Sequence, residues 1–161
     1  MSYRVELFAE QDTVGPADVI ELWKRETGMP DDEAARRLHE VLFVALGDDG
    51  QLIGVSSAYL LRNEQLRMDL WYCRAYTAPG HRREAVGVTL MHRARELLEE
   101  RFTSGADRRG AGTAVEVESE VLQRDFRPAI WPQTGLAFIG KNASGWHVRV
   151  RYFPGALAPD P

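Results

Sequence analysis

The residues with the clearest capacity for chemistry form the turn PGHRREAVG, residues 79–87. A strand-like run, residues 67–77, precedes this turn, and a long amphipathic stretch follows it. The first backbone N–H groups of a helix have no helical partner, and the helix dipole places partial positive charge at the same end. An arginine-containing turn of small residues at that position is suited to binding a diphosphate. The sequence therefore predicts a site for a phosphorylated cofactor.

The composition is that of a globular protein, with 161 residues, 44% hydrophobic and 27% charged. We expect a single domain over residues 1–155 and a disordered tail over residues 156–161. The longest apolar runs fall short of the roughly 18 residues that a membrane helix needs, and the start MSYRVELF does not resemble a signal peptide. We therefore expect a cytoplasmic protein with no membrane partner.

Charge and cysteine content exclude further classes of protein. The net charge of −4 argues against a nucleic-acid binder, and the single Cys73 excludes an internal disulfide and a multi-cysteine metal site. The four histidines share no metal-ligand spacing, so we expect no metal.

Hydrophobic periodicity predicts the elements that must position the turn. The predicted order is β-α-α-β-β-β-α-β, then an irregular segment limited to short helices by its prolines, then β-β. The predicted strands are residues 3–8, 41–46, 51–61, 66–77, 113–119, 136–141 and 146–153, and the main helices are residues 16–28, about 30–38, and 86–102. These elements favour an α+β fold: a mixed, mostly antiparallel sheet of six to seven strands flanked by helices. A Rossmann fold is excluded because Gly-x-Gly-x-x-Gly is absent.

This order and this motif resemble the GNAT superfamily of acyl-CoA-dependent N-acyltransferases. The family signature, Pro-x-x-(Gln/Arg)-x-x-Gly-x-(Gly/Ala), is matched by Pro79, Arg82, Ala85 and Gly87, and the Gly135-Leu136 pair matches a Gly-Phe pair that often opens the sixth strand. The resemblance covers residues 3–153.

The resemblance implies acetyl-CoA, or another short acyl-CoA, as cofactor. The backbone of the strand end would pair with the pantetheine amides, and the turn would surround the diphosphate. Ala85 stands where the family usually has glycine. The strand residues are Ala75, Tyr76 and Thr77, and the turn residues are Arg82, Arg83, Glu84, Ala85, Val86 and Gly87.

Acyl transfer from a thioester needs a neutral amine, and therefore a base or a water chain that removes its proton. The family often places Glu or His on the fourth strand, at positions that here are Trp71 and Cys73. Asp69 shares their face and is one candidate base, although an ion-paired surface Asp explains it equally well. Glu118 is the other candidate, although it and Glu116 are more simply read as a solvated acidic face.

The acceptor pocket is predicted at Trp71, Cys73 and Trp131. Trp131 takes the position of the family's usual Tyr acid, and its indole N–H is not a useful acid near neutral pH. The two rings would suit an apolar group or a cation held over a ring face, while the alternative is that they fill the core. For Cys73, a buried thiol is favoured over a nucleophile.

The sequence thus favours an N-acetyltransferase acting on a primary amine, of a small molecule rather than a peptide. The alternative is a catalytically degenerate GNAT-like domain that binds or senses acyl-CoA without turnover. A third alternative, an interaction domain that has lost the cofactor, is disfavoured by Arg82 and Gly87. The paired edge strands predicted over residues 136–153 favour a homodimer, which is a further expectation.

Overall fold

The computed structural model describes residues 2–82 and 84–161. Its elements follow the predicted order, and the irregular segment contains one short helix. The strands are β1 (Tyr3–Leu7), β2 (Val41–Gly47), β3 (Leu52–Asn63), β4 (Met68–Thr77), β5 (Gly112–Val117), β6 (Ala137–Lys141) and β7 (His147–Tyr152). The helices are α1 (Pro16–Thr27), α2 (Asp31–Arg37), α3 (Val86–Thr103) and α4 (Glu120–Asp125).

Within the described residues the seven strands form one sheet in the order β1-β2-β3-β4-β5-β7-β6. Strands β1 and β2, β2 and β3, β5 and β7, and β6 and β7 pair antiparallel. Strands β4 and β5 run parallel, with Trp71 opposite Thr113 and Tyr72 opposite Ala114. Parallel strands need a long crossover connection, because a tight hairpin can join only antiparallel strands. Helix α3 and the loop after it provide this connection between β4 and β5. The predicted fold class is confirmed.

By contacts the chain divides into two compact units, and β3, β4 and α3 contribute residues to both. The first unit comprises the residues up to Ala58 and Arg74–Ala94. In it, α1 and α2 bury an apolar stripe against β2 and β3. Helix α1 begins after Gly15, whose N–H donates to Asp18, and ends at Gly28 in the left-handed conformation.

The second unit comprises Tyr59–Cys73 and Arg95–Pro161. Its core cluster lies on one face of the sheet. The members of this cluster are Leu70, Tyr72, Ala114, Val148 and Val150. Backbone hydrogen bonds of residues 129 and 131 to residues 138 and 136 pair this segment with β6.

Helix α4 confirms that the segment before Pro128 supports only a short helix. The hydroxyl of Ser119 accepts a hydrogen bond from the Leu122 N–H and caps it, and the helix ends three residues before the proline. None of the helices in the described part of the chain has the length and hydropathy needed to cross a membrane.

Candidate functional site

The turn between β4 and α3 is held against strand β3. The Ala78 N–H donates to the Ile53 carbonyl at 2.8 Å, and the His81 N–H donates back to the Ala78 carbonyl at 2.9 Å, closing the 3-10 turn Pro79–His81. The direction of the chain is therefore set at the end of β4, before the helix begins at Val86.

Glycine at position 54 lets α3 lie directly on β3. A Cβ atom there would be 2.9 Å from Leu90 Cδ1, 3.1 Å from Val86 Cγ1 and 3.1 Å from the Tyr76 carbonyl oxygen. These distances are shorter than van der Waals contact, so any larger residue would push the first turns of α3 away from the sheet. Gly54 thus sets how closely the helix start approaches the end of β4.

The backbone of the turn has a conformation that favours glycine. Ala85 has φ of +58°, in the left-handed region, at the position where the family usually has Gly. Two groups of Thr89 bond to its carbonyl: the backbone N–H at 3.0 Å and the hydroxyl at 3.1 Å. The Thr89 hydroxyl also pairs with the Tyr3 hydroxyl at 2.8 Å, which ties the start of α3 to β1.

Small residues keep the start of α3 open. Ala85 and Gly87 are the small residues there, and a Cβ atom on Gly87 would approach Thr77 Oγ1 only to 3.4 Å. An 18-residue helix thus begins in a turn whose backbone is not covered by bulky side chains. A diphosphate fits such a helix start, since N–H groups and dipole point to it.

Two charged side chains of the turn, those of Arg82 and Glu84, have partners within the protein. Arg82 Nε donates to the Thr77 carbonyl at 3.1 Å, and its guanidinium carbon lies 5.8 Å from the centre of the Tyr76 ring. The Glu84 carboxylate lies 3.2 Å from His81 Nδ1, within hydrogen-bond distance, so the nearest partner of Glu84 is the histidine. The predicted Arg83 lies outside the described residues.

The predicted cofactor residues of the strand end are partly accessible: Ala75 is exposed, and Tyr76 and Thr77 are half-buried. Together with Arg82, Glu84, Ala85, Val86 and Gly87, they lie between β4 and the first turn of α3, all within the first unit. Their part in cofactor binding stays a prediction.

The two candidate bases differ in surroundings, and both lie in the second unit. Asp69 Oδ1 is 3.9 Å from Arg62 Nη1, and 46% of the Asp69 side chain is exposed, which favours the interpretation as a surface ion pair. Glu118 is exposed and follows the last residue of β5, in the loop before α4. Neither role as a base is tested by these positions, and both stay predictions.

Glu116 is different from Glu118, and the expectation of a shared solvated face does not hold for it. Glu116 is half-buried within β5, where its carboxylate accepts hydrogen bonds from the Tyr59 hydroxyl at 3.3 Å and from the Asn142 side-chain amide. Its partners come from distant parts of the chain, so the pattern of β5 alone did not reveal them.

The faces of both predicted pocket tryptophans are near arginines of the chain itself. The Arg149 guanidinium carbon lies 4.2 Å from the centre of the Trp131 ring, and that of Arg109 lies 5.3 Å from the centre of the Trp71 ring. The Trp131 indole N–H donates to the Phe126 carbonyl at 3.1 Å. These contacts favour packing over an acceptor wall, and the pocket stays a prediction.

Cys73, the third predicted pocket residue, is buried, and burial raises the pKa of its thiol to about 12. The thiol faces the Trp71 carbonyl oxygen, 3.6 Å away. A thiol in this environment is protonated at neutral pH and is a poor nucleophile.

Sequence reasoning missed Arg149, whose side chain is 2% exposed. Its Nη1 donates to the carbonyls of Pro128 at 2.9 Å and of Ala129 and Leu136 at 3.3 Å, and burial lowers its pKa. Arg149 thereby fixes the irregular segment that carries Trp131. Its neighbour along that face of β7, Arg151, donates to the Thr134 carbonyl at 2.9 Å.

The part of the chain that the structure describes contains no group of three or more His, Cys, Asp or Glu side chains that could hold a metal ion.

The fold matches several solved acetyltransferases. One is a GNAT superfamily phosphinothricin acetyltransferase from Sinorhizobium meliloti in complex with AcCoA, with a TM-score of 0.66 and 18% identity, covering 100% of this chain and 94% of that chain. Another is a GNAT family acetyltransferase from Brucella melitensis in complex with acetyl-CoA. Its TM-score is 0.54 at 15% identity, and the match covers 97% of this chain and 91% of that chain. A third is an aminoglycoside acetyltransferase from an uncultured soil metagenomic sample in complex with sisomicin. Its TM-score is 0.52 at 15% identity, and the match covers 80% of this chain and 90% of that chain.

These likenesses are similarities of fold. A search of curated protein sequences gave no match. The model of the acetyltransferase (GNAT) family matches residues 5–120, which is well over half of the chain. With the strand, turn and helix described above inside the matched region, the chain belongs to the GNAT acetyltransferase family.

Proposed function

We propose that this protein transfers an acetyl or other short acyl group from acyl-CoA to a primary amine of a small molecule. The observation that carries the proposal is the β4–α3 turn, where a strand end, a left-handed Ala85 and a glycine in the first turn of α3 follow one another. Family membership supports the reaction type.

Acetyl-CoA would be held by the strand end and the turn. The exposed Ala75 and half-buried Thr77 would offer backbone groups to the pantetheine amides, and the N–H groups at the start of α3 would offer donors to the diphosphate. Arg82 is exposed and could add a charge-assisted hydrogen bond. The complexes of the Sinorhizobium and Brucella proteins with acetyl-CoA support this choice of cofactor.

The bound cofactor supplies a thioester carbonyl that a neutral amine can attack. Among the residues that the structure describes, the candidates for assisting the proton transfers are Asp69 and Glu118. Cys73 is buried, and burial raises the pKa of its thiol, so we do not propose it as an acyl carrier. The Trp131 N–H is already bonded to the Phe126 carbonyl. We therefore propose that solvent accepts the amine proton and that the thiolate leaves without a dedicated acid.

A small-molecule acceptor is supported by the aminoglycoside and phosphinothricin acetyltransferases that share the fold. The proposal is tested by measuring thiol release from acetyl-CoA across a panel of small amines and peptides. Release with small amines and a weak response to peptides is the expected result. Silence across the panel, with acetyl-CoA still bound, would instead indicate a domain that senses acyl-CoA.

A further inference from the structure

Arg74, near the C-terminal end of β4, is a charged residue that the reaction described above does not use. It directly precedes Ala75, the first of the strand residues proposed to pair with the pantetheine. Alternation along the strand places Arg74 on the same face as Tyr76, whose ring packs against the core formed with α1 and α2. Both residues belong to the first unit, which also contains the β4–α3 turn. Arg74 therefore lies beside the proposed cofactor path, on the face of the sheet that α1 and α2 cover.

An ion pair joins Arg74 to the segment after α2. Its Nη1 is 3.7 Å from Oε2 of Glu40, the last residue of the 3-10 turn Leu38–Glu40. This distance is longer than the roughly 2.7–2.9 Å of a charge-assisted hydrogen bond, and the buried Glu40 Oε2 has no hydrogen-bond partner among the described residues. The Arg74 side chain is 41% exposed and that of Glu40 is 25% exposed. The guanidinium is thus the more accessible group of the pair.

A second guanidinium, that of Arg37, lies close enough to Arg74 for their charges to interact. Burial lowers the pKa of Arg37, and so, to a smaller degree, does the charge of Arg74, while Glu40 and Glu33 act in the opposite direction. The guanidinium carbon of Arg37 is 5.4 Å from the centre of the Trp23 ring, and its Nη1 is 3.6 Å from Glu33 Oε1. Arg37 is therefore held by α1 and α2 and adds positive charge beside the more exposed Arg74.

An exposed guanidinium with a second one nearby is suited to binding a carboxylate. The planar N–H groups of arginine match the two oxygens of a carboxylate, and both hydrogen bonds are charge-assisted. The charge of Glu40, 3.7 Å from Arg74, disfavours a doubly charged group such as a phosphate monoester. A group with a single negative charge therefore fits this position best.

The position of Arg74 along β4 relates it to the reacting amine. In the proposed binding mode the diphosphate lies at the start of α3 and the pantetheine runs along the strand from Thr77 to Ala75. Its thioester end then points toward Arg74, which is three residues, or about 10 Å of strand, from Thr77. An acceptor whose amine reaches the thioester would meet Arg74 as the next side chain of β4 after Ala75.

We propose that Arg74 binds a carboxylate of the acceptor whose amine is acylated. This inference rests on the proposed function and narrows its substrate class to amino acids, in which the amine and the carboxylate belong to one small molecule. Arg74 is a residue that binds the acceptor and selects it. All the protein groups that carry the inference lie within the first unit.

The test compares amino acids with their primary amides, which keep the shape and remove the negative charge. The acids are glycine, β-alanine and 4-aminobutanoate, so that three spacer lengths are covered, and thiol release from acetyl-CoA is measured with each acid and its amide. In Arg74→Gln the acid-to-amide ratio of kcat/KM should fall about tenfold or more below that of the wild type for the preferred spacer, mainly through the KM of the acid. Because the same ratio is compared between variants, differences in amine basicity cancel.

Arg25→Gln is the matched control. Arg25 is an exposed arginine of the first unit, on α1, and its partners are Glu21 and Glu26. The change removes the same charge from the same unit and should keep the wild-type ratio. An acid-to-amide ratio that is equal in wild type and Arg74→Gln would overturn the inference while leaving the acetyltransferase proposal intact.

A second measurement does not need turnover or a folded variant. In the wild-type chain with CoA present, the Nε–H resonance of Arg74 should shift saturably with at least one of the three acids and not with its amide. If Arg74→Gln does not fold, or if no amine is acylated and the proposed reaction fails, this resonance alone decides. A saturable shift with the acid supports carboxylate binding by Arg74, and equal behaviour of acid and amide overturns it.

Discussion

Replacing Gly87 by alanine should change stability and cofactor affinity in opposite directions. Gly87 is the second residue of α3, and a Cβ atom on it would lie 3.4 Å from Thr77 Oγ1, an ordinary contact. Its φ is outside the left-handed region, so alanine is compatible with the backbone. Since alanine loses less conformational entropy than glycine in a helix, the free energy of unfolding should rise by about 0.5–1 kcal/mol.

The same methyl group would lie where we propose that the diphosphate approaches the backbone. Losing a charge-assisted hydrogen bond there would cost roughly 1.5–3 kcal/mol, or about ten- to a hundredfold in affinity. At an acetyl-CoA concentration 100 times the wild-type Kd, binding stabilises the folded chain by about 2.7 kcal/mol. A hundredfold weaker Kd would leave roughly 0.4 kcal/mol at the same concentration.

Thermal melting with and without acetyl-CoA measures both effects. Each kcal/mol corresponds to roughly 2–4 °C for a chain of this size. Without acetyl-CoA, the Gly87→Ala variant should therefore melt about 1–4 °C higher than the wild type. On adding acetyl-CoA, its melting temperature should rise far less than that of the wild type. Gly80→Ala is the matched control, because a Cβ there meets open space, and it should keep the wild-type gain. If Gly87→Ala keeps the full gain, the diphosphate does not bind at the start of α3, and the reasoning is refuted.

Three further predictions concern the same framework. Ala85→Gly should raise the free energy of unfolding by up to about 1 kcal/mol in urea denaturation, because it relieves the left-handed φ of +58°; a loss of similar size would mean that residue 85 is helical in solution. Gly54→Ala should lower it by about 1–3 kcal/mol in the same assay, since its Cβ would meet Leu90 at 2.9 Å, and an unchanged midpoint would contradict the close approach of α3 to β3. Cys73, whose pKa is raised to about 12, should have thiolate in roughly one molecule in ten thousand at pH 8 and should resist thiol reagents until the chain unfolds; rapid labelling of the native protein would contradict its burial.

The elements of the fold were predictable because the signals that define them are local. The apolar period of α1, its end at Gly28, and the left-handed Gly50 in the β2–β3 turn all act over a few residues. The β4–α3 turn was likewise visible as small residues and arginines between two periodic patterns. The disorder of the last six residues, the single-domain organisation and the homodimer stay predictions.

The contacts of the site could not be predicted in the same way because they join distant parts of the chain. Alternation placed Glu116 and Glu118 on one face, but β5 ends at Val117, so only Glu116 is held within the sheet. The guanidinium over the Trp131 ring belongs to Arg149, 18 residues further along the chain, and no spacing rule connects the two. The left-handed conformation of Ala85 is equally invisible, because alanine is a strong helix former.

The central claim, that acyl-CoA binds at the β4–α3 turn, is tested most directly by the melting temperature in millimolar acetyl-CoA. A ligand that binds only the folded chain stabilises it, so the wild-type protein should melt several degrees higher than without cofactor. Gly87→Val, which carries a branched side chain at the helix start, should show no such gain. A wild-type melting temperature that does not move, or an equal gain in Gly87→Val, would contradict the claim.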